Sequence, residues 1–556
     1  MTVQPDKAAV KISLQDDVEE VSVRLSRTKT MSGIETDAFY GPRERTDEYD
    51  AKLGDPGEFP FTRGSFPEMY RSRMWTLRNI VGYGSPEDTA DAVAASVRSG
   101  SAAVDIVFDV VSTQGLDPDH PVLREDVGLE GASVSSLNDL DRLLRDVDVT
   151  KTDVAWHITY MIYPMVIAHA RRHGLPLAEV HGSHMPDYLR INMDGGGKKF
   201  FNAEFGQRLA ADTLEFATLN TPRWAAGIPQ AYNLRERGCT PAMEIAIGMA
   251  IARSTFGDVL SRGVDIDDVA PHLAWVSTAD IDLFEEVAKF RALRRMWAKM
   301  MREEFGAQST RSMRLRIACH TSGRSLVYQR AMNNVTRAAI QTLAAILGGV
   351  QSVETCTYDE PISIPTPEAR ELATFTQLIL AHEVGAARTA DPLGGSYYVE
   401  SLTDQVEERA YKLLETIEDH GFLKGVEDGW LEGLMDDENY RREEELRTGE
   451  RLIVGVNAFR PNEEDDRPPR FKVNQARVDD HIRRFVQERD ARDPETVKAA
   501  MQMVFDSVRG DRNTQDAMAD AYLAGATSAE ISGAQRLACG MQYDPFGAVE
   551  APFTLS

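Results

Sequence analysis

The stretch "HLAWVSTADIDLFEEVAKFRALRRMWAKMMREEFGAQSTRSMRLRIACHTSG" (residues 272–323) decides the fold class. Its two ends, "HLAWVST" and "RLRIACHTSG", are short and rich in β-prone residues. Between them, apolar residues recur at roughly helical spacing: Phe284, Val287, Ala288, Phe290, Ala292, Trp297 and Met301. The pattern therefore predicts a strand, a helix and a second strand.

The same alternation extends to both sides of this unit. Eight candidate strands alternate with helical segments: 102–111, 132–136, 153–159, 178–184, 223–231, 272–278, 314–323 and 352–360. Eight such repeats predict an α/β fold, a (β/α)8 barrel, in which each strand is followed by a covering helix. An open, doubly wound sheet also fits the alternation, and the pattern alone does not separate the two.

Composition divides the chain into three parts. Residues 1–58 are polar and charged and predict an extended arm, whereas residues 59–400 carry the barrel pattern. Residues 401–556 are strongly helical, and "RPNEEDDRPPR" (460–470) within them has the composition of a linker. We see no second α/β domain in this last part.

Charge and composition disfavour several classes of protein. The 556 residues carry a formal net charge of -26, which argues against a nucleic-acid-binding surface. No apolar run reaches the length of a membrane span, and the N-terminus lacks the basic flank and apolar core of a signal peptide. Together with four widely spaced cysteines, these features predict a cytoplasmic protein with reduced thiols and no membrane partner.

The ends of the candidate strands are polar. The residues concerned are Ser112, Thr113, Gln114, His157, Ser183, His184, Gln230, Ser277, His320, Thr321, Thr355 and Thr357. In barrel enzymes the carboxyl ends of the strands and the loops that follow them build the active site. Solvated loops explain any single polar strand end, but so many together predict a long polar site at one mouth of the barrel.

Two histidine pairs are weak candidates for metal ligands. His169 and His173 lie one helical turn apart, without the glutamate that follows the first histidine in zinc proteases. His181 and His184 lie at a strand end, without a third ligand nearby in the sequence. We therefore predict no metal site.

The stretch "MYRSRMWTLRNIVGYG" (69–84) joins three arginines to an apolar end. In so acidic a protein, an anionic ligand needs a local concentration of arginine, which binds phosphate in a bidentate manner. The stretch fits either a grip on such a ligand or a surface belt of salt bridges. The residues alone do not decide between the two.

Further segments carry a family resemblance. These are "FDVVSTQGLDPDHP" (108–121), "EDVGLEGASVSSLNDL" (125–140), "NNVTRAAIQTLAAILGGVQSVETCTYDEPISIPT" (333–366) and "DPLGGSYYVE" (391–400). Together with 69–84 they resemble, in order, segments of the methylmalonyl-CoA mutase family. The likeness extends from about residue 60 to about residue 540.

The resemblance implies a (β/α)8 barrel whose axis is threaded by the pantetheine arm of an acyl-CoA. It also implies adenosylcobalamin, carried by a separate domain or subunit whose Asp-x-His-x-x-Gly motif binds cobalt. "DDH" (479–481) lacks that motif, because Arg484 stands where glycine is required. The chain is therefore similar in layout to the large subunit of split mutases acting on isobutyryl-CoA or 2-hydroxyisobutyryl-CoA. Such a chain requires a small cobalamin-binding subunit, and we expect a heterotetramer.

The resemblance also implies site residues. Arg73, Thr76 and Arg78 match residues that contact coenzyme A. The further substrate-side positions are Asp105, Val107, Ser183, Met185, Gly195, Ala274, Arg311, Gln351 and Ser352. The catalytic positions are Ile80, Tyr232, Asn233 and His320, and the cofactor-side positions are Phe108, Glu236, Gly323, Arg324, Cys356 and Glu360.

Several of these residues depart from the family pattern. The family arginine that clamps a substrate carboxylate is replaced by Gly195, which predicts a substrate without that group. The family histidine beside Tyr232 is Asn233, and the family glutamine on the seventh strand is His320, which we expect to take over the polar role. Ile80 replaces a tyrosine, as in the 2-hydroxyisobutyryl-CoA branch, but that branch's aspartate is Val107 here. The remaining changes are Met185 for glutamine, Ala274 for serine, Arg324 for tryptophan and Cys356 for asparagine.

The sequence therefore predicts an isomerase, an adenosylcobalamin-dependent acyl-CoA mutase that rearranges the carbon skeleton of a branched or hydroxylated acyl group by radical chemistry. The altered site residues leave a second interpretation open, a CoA-thioester-binding barrel or scaffold that has lost this activity. A metal-dependent barrel hydrolase is a third and weaker one.

Overall fold

The structure is a computed structural model and describes residues 32, 34–42, 44–98, 103–157, 160–186, 188–193, 201–460 and 470–556. Its centre is a sheet of parallel strands in the order β5-β4-β3-β2-β1-β8-β7-β6. The strands are β1 Thr76–Val81, β2 Ala103–Val107, β3 Val154–His157, β4 Gly182–His184, β5 Trp224–Ala226, β6 Trp275–Ala279, β7 Ile317–Thr321 and β8 Ser352–Glu354.

The two outer strands of this order meet, so the sheet closes. Beyond the hydrogen-bonded strands, Ala226 bridges to Leu273 and Gln230 bridges to Val276, both in parallel orientation. The backbone N–H of Ala274 donates to the carbonyl oxygen of Ala226 at 2.9 Å. The predicted (β/α)8 barrel is confirmed.

Helices surround the barrel and build the C-terminal region. They span Asp47–Lys52, Pro86–Arg98, Val110–Thr113, Leu137–Leu143, Ile162–Arg172, Tyr188–Ile191, Ala203–Asn220, Ala231–Arg237, Pro241–Ser261, Ile266–Val269, Leu283–Lys299, Thr310–Met313, Asn334–Leu347, Pro367–His382, Tyr397–His420, Phe422–Glu427, Trp430–Thr448, Gln475–Asp490, Pro494–Arg509, Thr514–Leu523 and Ser528–Ala538. A π-helical turn, Met300–Glu304, extends Leu283–Lys299, and single 3-10 turns lie at Met69–Arg71, Arg124–Asp126, Leu177–Glu179, Ala270–His272 and Ala331–Asn333.

One strand differs from the sequence prediction. The segment 132–136 forms no strand, and the missing strand is β1, which the alternation did not reveal. The segment 132–136 follows Gly131, where a Cβ atom would lie only 2.1 Å from the carbonyl carbon of Phe108. The chain thus crosses close over the end of β2 and keeps a single bridge, between Phe108 and Ala132.

The two faces of β1 lie in different environments. Asn79 and Val81 are buried under the outer helices, and Asn79 donates a hydrogen bond to Thr374 of Pro367–His382 at 3.0 Å. Thr76, Arg78 and Ile80 point to the barrel interior, where they are only half-buried. Solvent therefore reaches the inside of the barrel.

Small side chains explain this open interior. Ser183 of β4, Ala225 of β5 and Ala318 of β7 occupy inward positions and are half-buried although they lie at the centre of the molecule. Bulky branched side chains fill the interior of most barrels of this type. Here the small residues leave a bore along the axis.

The helices, the cysteines and one histidine pair bear on other predictions from the sequence. Within the described ranges, no helix has the length and apolar character needed to cross a membrane. The four cysteines are free. His169 and His173, at the end of the outer helix Ile162–Arg172, both approach the carboxylate of Asp141, at 2.6 and 3.2 Å.

Candidate active site along the barrel bore

Arginines gather at the amino-terminal rim of the barrel. Arg311, Arg314 and Arg316 precede β7 and help to line a cavity of about 160 Å³. Arg314 lies over the ring of Phe66 at 4.4 Å, next to the segment that leads into β1. Arg73, in that segment, is exposed and has no ion-pair partner among the described residues. Guanidinium groups arranged in this way suit a polyphosphate.

Hydrogen bonds of Gln351 join β1 to the same rim. The N–H of Thr76 donates to the carbonyl oxygen of Gln351 at 3.0 Å, and the side-chain oxygen of Gln351 accepts from the N–H of Ile317 at 2.9 Å. Ser352, the first residue of β8, pairs in register with Thr76 and Ala318. The predicted CoA-side residues of β1, β7 and β8 therefore lie at one end of the bore.

A buried ion pair lies further along the bore. Arg78 donates to Asp105 at 2.6 Å, and the other carboxylate oxygen of Asp105 lies 2.9 Å from Nε2 of His157. Burial alone would raise the pKa of Asp105, but the charge of Arg78 and the hydrogen bond from His157 outweigh it and hold the pKa below its usual range. Burial lowers the pKa of His157. Asp105 is therefore an ionised carboxylate, and the imidazole of His157 beside it is neutral.

His320 meets His157 across the bore. The two rings are perpendicular, with centroids 5.0 Å apart, although β3 and β7 are not neighbours in the sheet. Nδ1 of His320 lies 3.4 Å from a carboxylate oxygen of Glu354, and the ring of Tyr232 lies 4.9 Å from the His320 ring. These side chains form a polar chamber that narrows the bore.

Tyr232 and Asn233 open the helix Ala231–Arg237, which begins just beyond β5. Burial, and then the charge of Glu236, raises the pKa of Tyr232 well above its ordinary value, so the phenol stays protonated and can donate. The side-chain oxygen of Asn233 is buried and lacks a hydrogen-bond partner among the described residues. Both side chains are available to a ligand in the chamber.

Carboxylates line the carboxyl-terminal mouth above the chamber. Glu236 accepts from the backbone N–H of Arg324 at 2.9 Å, and a Cβ atom on Gly323 would lie within 3.7 Å of both Glu236 and Glu360. Burial raises the pKa of Glu236, and burial together with the charges of Glu354 and Glu236 raises that of Glu360. Solvent still reaches Glu360. The mouth is therefore acidic.

Known proteins are similar to this chain in sequence over most of its length. A family model for methylmalonyl-CoA mutase matches residues 29–541. The chain belongs to the methylmalonyl-CoA mutase family. The 2-hydroxyisobutanoyl-CoA mutase large subunit of Aquincola tertiaricarbonis is 36% identical to it over 484 residues, which are 86% of each chain.

Methylmalonyl-CoA mutases are similar as well. The enzyme of Rhizobium meliloti (strain 1021) is 32% identical over 490 residues, 87% of this chain and 68% of the relative. The human mitochondrial enzyme is 31% identical over 440 residues, 78% of this chain and 58% of the relative. The predictions of this family and of an isomerase are confirmed, and the coarse function is that of a cobalamin-dependent acyl-CoA mutase.

The structure places most of the residues that the family resemblance implied, but not all of them, along the bore. Ile80 and Val107 face inward near the chamber, and Ala274 lies at the lower end of β6. Met185 follows β4, and its sulfur accepts from Gln230 at 3.3 Å. Phe108 stacks on Trp156 in the core, so its ring does not line the bore. Gly195 lies outside the described residues.

Arg324 also departs from the expected placement. Its guanidinium group donates to Asn439 of the helix Trp430–Thr448, and Asn439 in turn donates to the carbonyl oxygen of Arg237 at 2.7 Å. Arg237 pairs with Asp436 of the same helix at 2.7 Å. The helix Trp430–Thr448 thus braces one side of the mouth.

Sequence reasoning missed several residues of the site. His157 was recognised only as a polar strand end, and Glu354, Arg314 and Arg316 were not assigned. One signal pointed to His157. It lies two residues after Ala155, the partner of Asp105 in the sheet, and alternate residues of a strand share a face. The other three need the closed barrel before their neighbours are known.

A buried ionic network fixes the helix that carries Tyr232. Arg235 lies 2.7 Å from Glu286 and 3.7 Å from both Glu244 and Asp280, and it donates to the carbonyl oxygen of Cys239 at 2.7 Å. Because these partners hold the base of the helix Ala231–Arg237, its first turn keeps Tyr232 and Asn233 at the chamber.

The mouth fits the cofactor of this family. Besides the Asn233 oxygen, one oxygen of Glu236 and the hydroxyl of Thr357 are buried without a hydrogen-bond partner among the described residues. Buried polar atoms are nearly always paired, so these atoms suit a ligand with several hydrogen-bonding groups, such as a ribose. Cys356 is tied down instead, with its thiol on the carbonyl oxygen of Thr321 at 3.0 Å.

Proposed function

We propose that this chain is the catalytic large subunit of a split adenosylcobalamin-dependent mutase, acting on a branched or hydroxylated acyl-CoA without a free carboxylate. One observation carries the proposal: the arginine rim and the chamber of Tyr232, Asn233 and His320 lie at successive levels of one closed barrel, whose inward side chains between them are small and only half-buried. A thioester with a long arm and an anionic end matches such a bore in shape and charge.

The chain's residues bind the substrate along this axis. Arg73, Arg311, Arg314 and Arg316 hold the phosphates at the rim, where Arg73 and Arg311 are exposed and can form bidentate contacts, while Arg316 also donates to the carbonyl oxygen of Pro271. Ser183, Ala225 and Ala318 leave room for the pantetheine arm. Arg78 neutralises Asp105 next to that arm.

Catalysis by this chain consists of orientation and exclusion of water. Bound adenosylcobalamin supplies radical chemistry through homolysis of its cobalt–carbon bond. Tyr232, kept protonated, and the amide of Asn233 donate hydrogen bonds toward the thioester, and His320 supplies the polar contact beside them. Ile80 covers the chamber from β1 and keeps water away from the reacting carbons.

The charge of the chamber supports an acyl group without a carboxylate. Glu354 lies within it, and Glu236 and Glu360 stand at its mouth, while the cation Arg78 is already paired with Asp105. A further carboxylate would be desolvated next to these acidic groups, and no unpaired cation of the chamber would compensate its charge, which is costly.

We infer that cobalt is bound by a separate small subunit. His481 of "DDH" is buried, and its Nε2 lies 3.1 Å from the hydroxyl of Ser133. The Aquincola tertiaricarbonis relative is itself named a large subunit. We also propose a cytoplasmic heterotetramer and the division into an arm (1–58), a barrel (59–400) and a helical region (401–556).

Reconstitution tests the proposal. The chain is mixed with a small cobalamin-binding subunit, adenosylcobalamin and a panel of acyl-CoAs, and cob(II)alamin and rearranged product are measured. We expect both signals for an acyl-CoA without a free carboxylate. Binding of acyl-CoAs without either signal for any of them would favour the scaffold, which Arg324 supports because it is held by Asn439 rather than facing the mouth.

A further inference from the structure

His157, the hydrogen-bond partner of Asp105, has no role in the mechanism above. His157 ends β3, and its ring lies against the ring of His320 across the barrel interior, with centroids 5.0 Å apart. It is 4% exposed. A histidine so placed has few neighbours that can satisfy both of its ring nitrogens.

The hydrogen-bond partners fix the tautomer of His157. Arg78 donates to one oxygen of Asp105 at 2.6 Å, and the carboxylate is ionised. An ionised carboxylate can only accept, so Nε2 of His157 carries the hydrogen and donates to it at 2.9 Å. In the neutral ring, Nδ1 is then a hydrogen-bond acceptor.

Nothing in the described part of the chain donates to this Nδ1 atom. Val107, the register partner of His157 on β2, is apolar, and His320 approaches as a ring at 5.0 Å rather than through a hydrogen bond. Glu354, beyond His320, is an acceptor as well. Because no described residue donates to Nδ1, this atom can accept a hydrogen bond from a donor that a ligand brings into the bore.

We propose that His157, held by Asp105, is the acceptor that selects an acyl group bearing a hydroxyl. This inference rests on the proposed function, since it requires an acyl-CoA in the bore. The amide N–H groups of the pantetheine arm have the same donor chemistry, and the experiment separates the two sources.

Isothermal titration calorimetry of the full chain without cobalamin tests the inference. The ligands are two matched pairs, 2-hydroxyisobutyryl-CoA with isobutyryl-CoA and 3-hydroxybutyryl-CoA with butyryl-CoA. We expect the hydroxylated member of at least one pair to bind about tenfold more tightly, as one buried hydrogen bond implies. His157→Phe should remove this preference, and His157→Gln, which keeps an acceptor, should restore part of it.

The control is His173→Phe, an exposed residue at the end of the outer helix Ile162–Arg172, which should leave the preference unchanged. Equal affinities within both pairs for the unaltered chain, or a preference that survives His157→Phe, would overturn the inference. Equal weakening of both members of each pair by His157→Phe would overturn it in favour of the pantetheine amide. No binding of any acyl-CoA would overturn the proposed function as well.

Metal analysis of the purified chain adds an independent check. Asp105, His157 and His320 lie close enough together to hold a cation. The positive charge of Arg78 next to Asp105 repels a cation at this place. We therefore expect mass spectrometry to find only background occupancy, less than roughly one tenth of an equivalent of any transition metal. One equivalent that is lost in His157→Phe would overturn the hydroxyl assignment.

Discussion

Removal of the Asp105 carboxylate should destabilise the barrel strongly. The side chain of Asp105 is 1% exposed and that of Arg78 is 13% exposed, so Asp105→Asn leaves a guanidinium group uncompensated inside the bore. Loss of one partner of a buried ion pair costs about 3–5 kcal/mol. Asp153, 3.6 Å from Arg78 but 53% exposed, compensates in part, so we expect about 3 kcal/mol.

Urea denaturation at pH 7 measures this change in the free energy of unfolding. The matched control is the double variant Arg78→Met/Asp105→Leu, which removes both charges and should recover most of the loss. A single variant within about 1 kcal/mol of the unaltered chain, or a double variant less stable than the single one, would refute the reasoning.

The pH dependence of the same measurement supplies a second readout. Because the folded-state pKa of Asp105 lies below its unfolded value, its stabilising contribution is present above about pH 4 and is lost as the pH falls further. Asp105→Asn should lack this acid-dependent component.

Three further predictions follow from exposed, catalytic and buried residues. Arg73→Ala should weaken acyl-CoA binding about tenfold at low salt without changing the urea midpoint, because Arg73 is exposed and has no ion-pair partner among the described residues. Calorimetry measures the change in affinity. The control is Arg71→Ala, because the Arg71 side chain donates to the carbonyl oxygen of Thr36. Tyr232→Phe, Asn233→Ala and His320→Ala should each lower kcat of the reconstituted enzyme by at least about tenfold with intact folding, and unchanged turnover in all three would remove their assigned roles. Burial lowers the pKa of His184 to about 3, so below pH 6.5 the unfolded chain binds a proton that the folded chain does not, and the free energy of unfolding falls by about 2 kcal/mol between pH 6.5 and 5. In urea denaturation, His184→Gln should reduce this dependence of stability on pH. An unchanged dependence would contradict the neutral, buried state of His184.

The sequence predicted the barrel class because seven of its eight strands stand out as β-prone runs between helices. It missed β1 because the inward positions of that strand carry Thr76, Arg78 and Ile80, a pattern that resembles a charged surface segment. In a barrel filled by apolar side chains the same strand would be recognisable. The polar inward residues that form the site are therefore the reason why the sequence pattern did not reveal β1.

The site was predictable only as separate positions. The family resemblance indicated Arg78, Asp105 and His320, but not the contacts that join them to His157. Those contacts depend on the stagger between β1, β2 and β3 and on the closure that brings β7 opposite β3. Neither follows from the spacing of residues along the chain.

The central claim is that an acyl-CoA lies along the bore. A crystal structure of the chain with an acyl-CoA such as butyryl-CoA tests this most directly. The account predicts phosphates against Arg73 and Arg311 at the amino-terminal rim and the thioester beside Tyr232 and His320. Electron density for the ligand on the outer helices, with an empty bore, would contradict it.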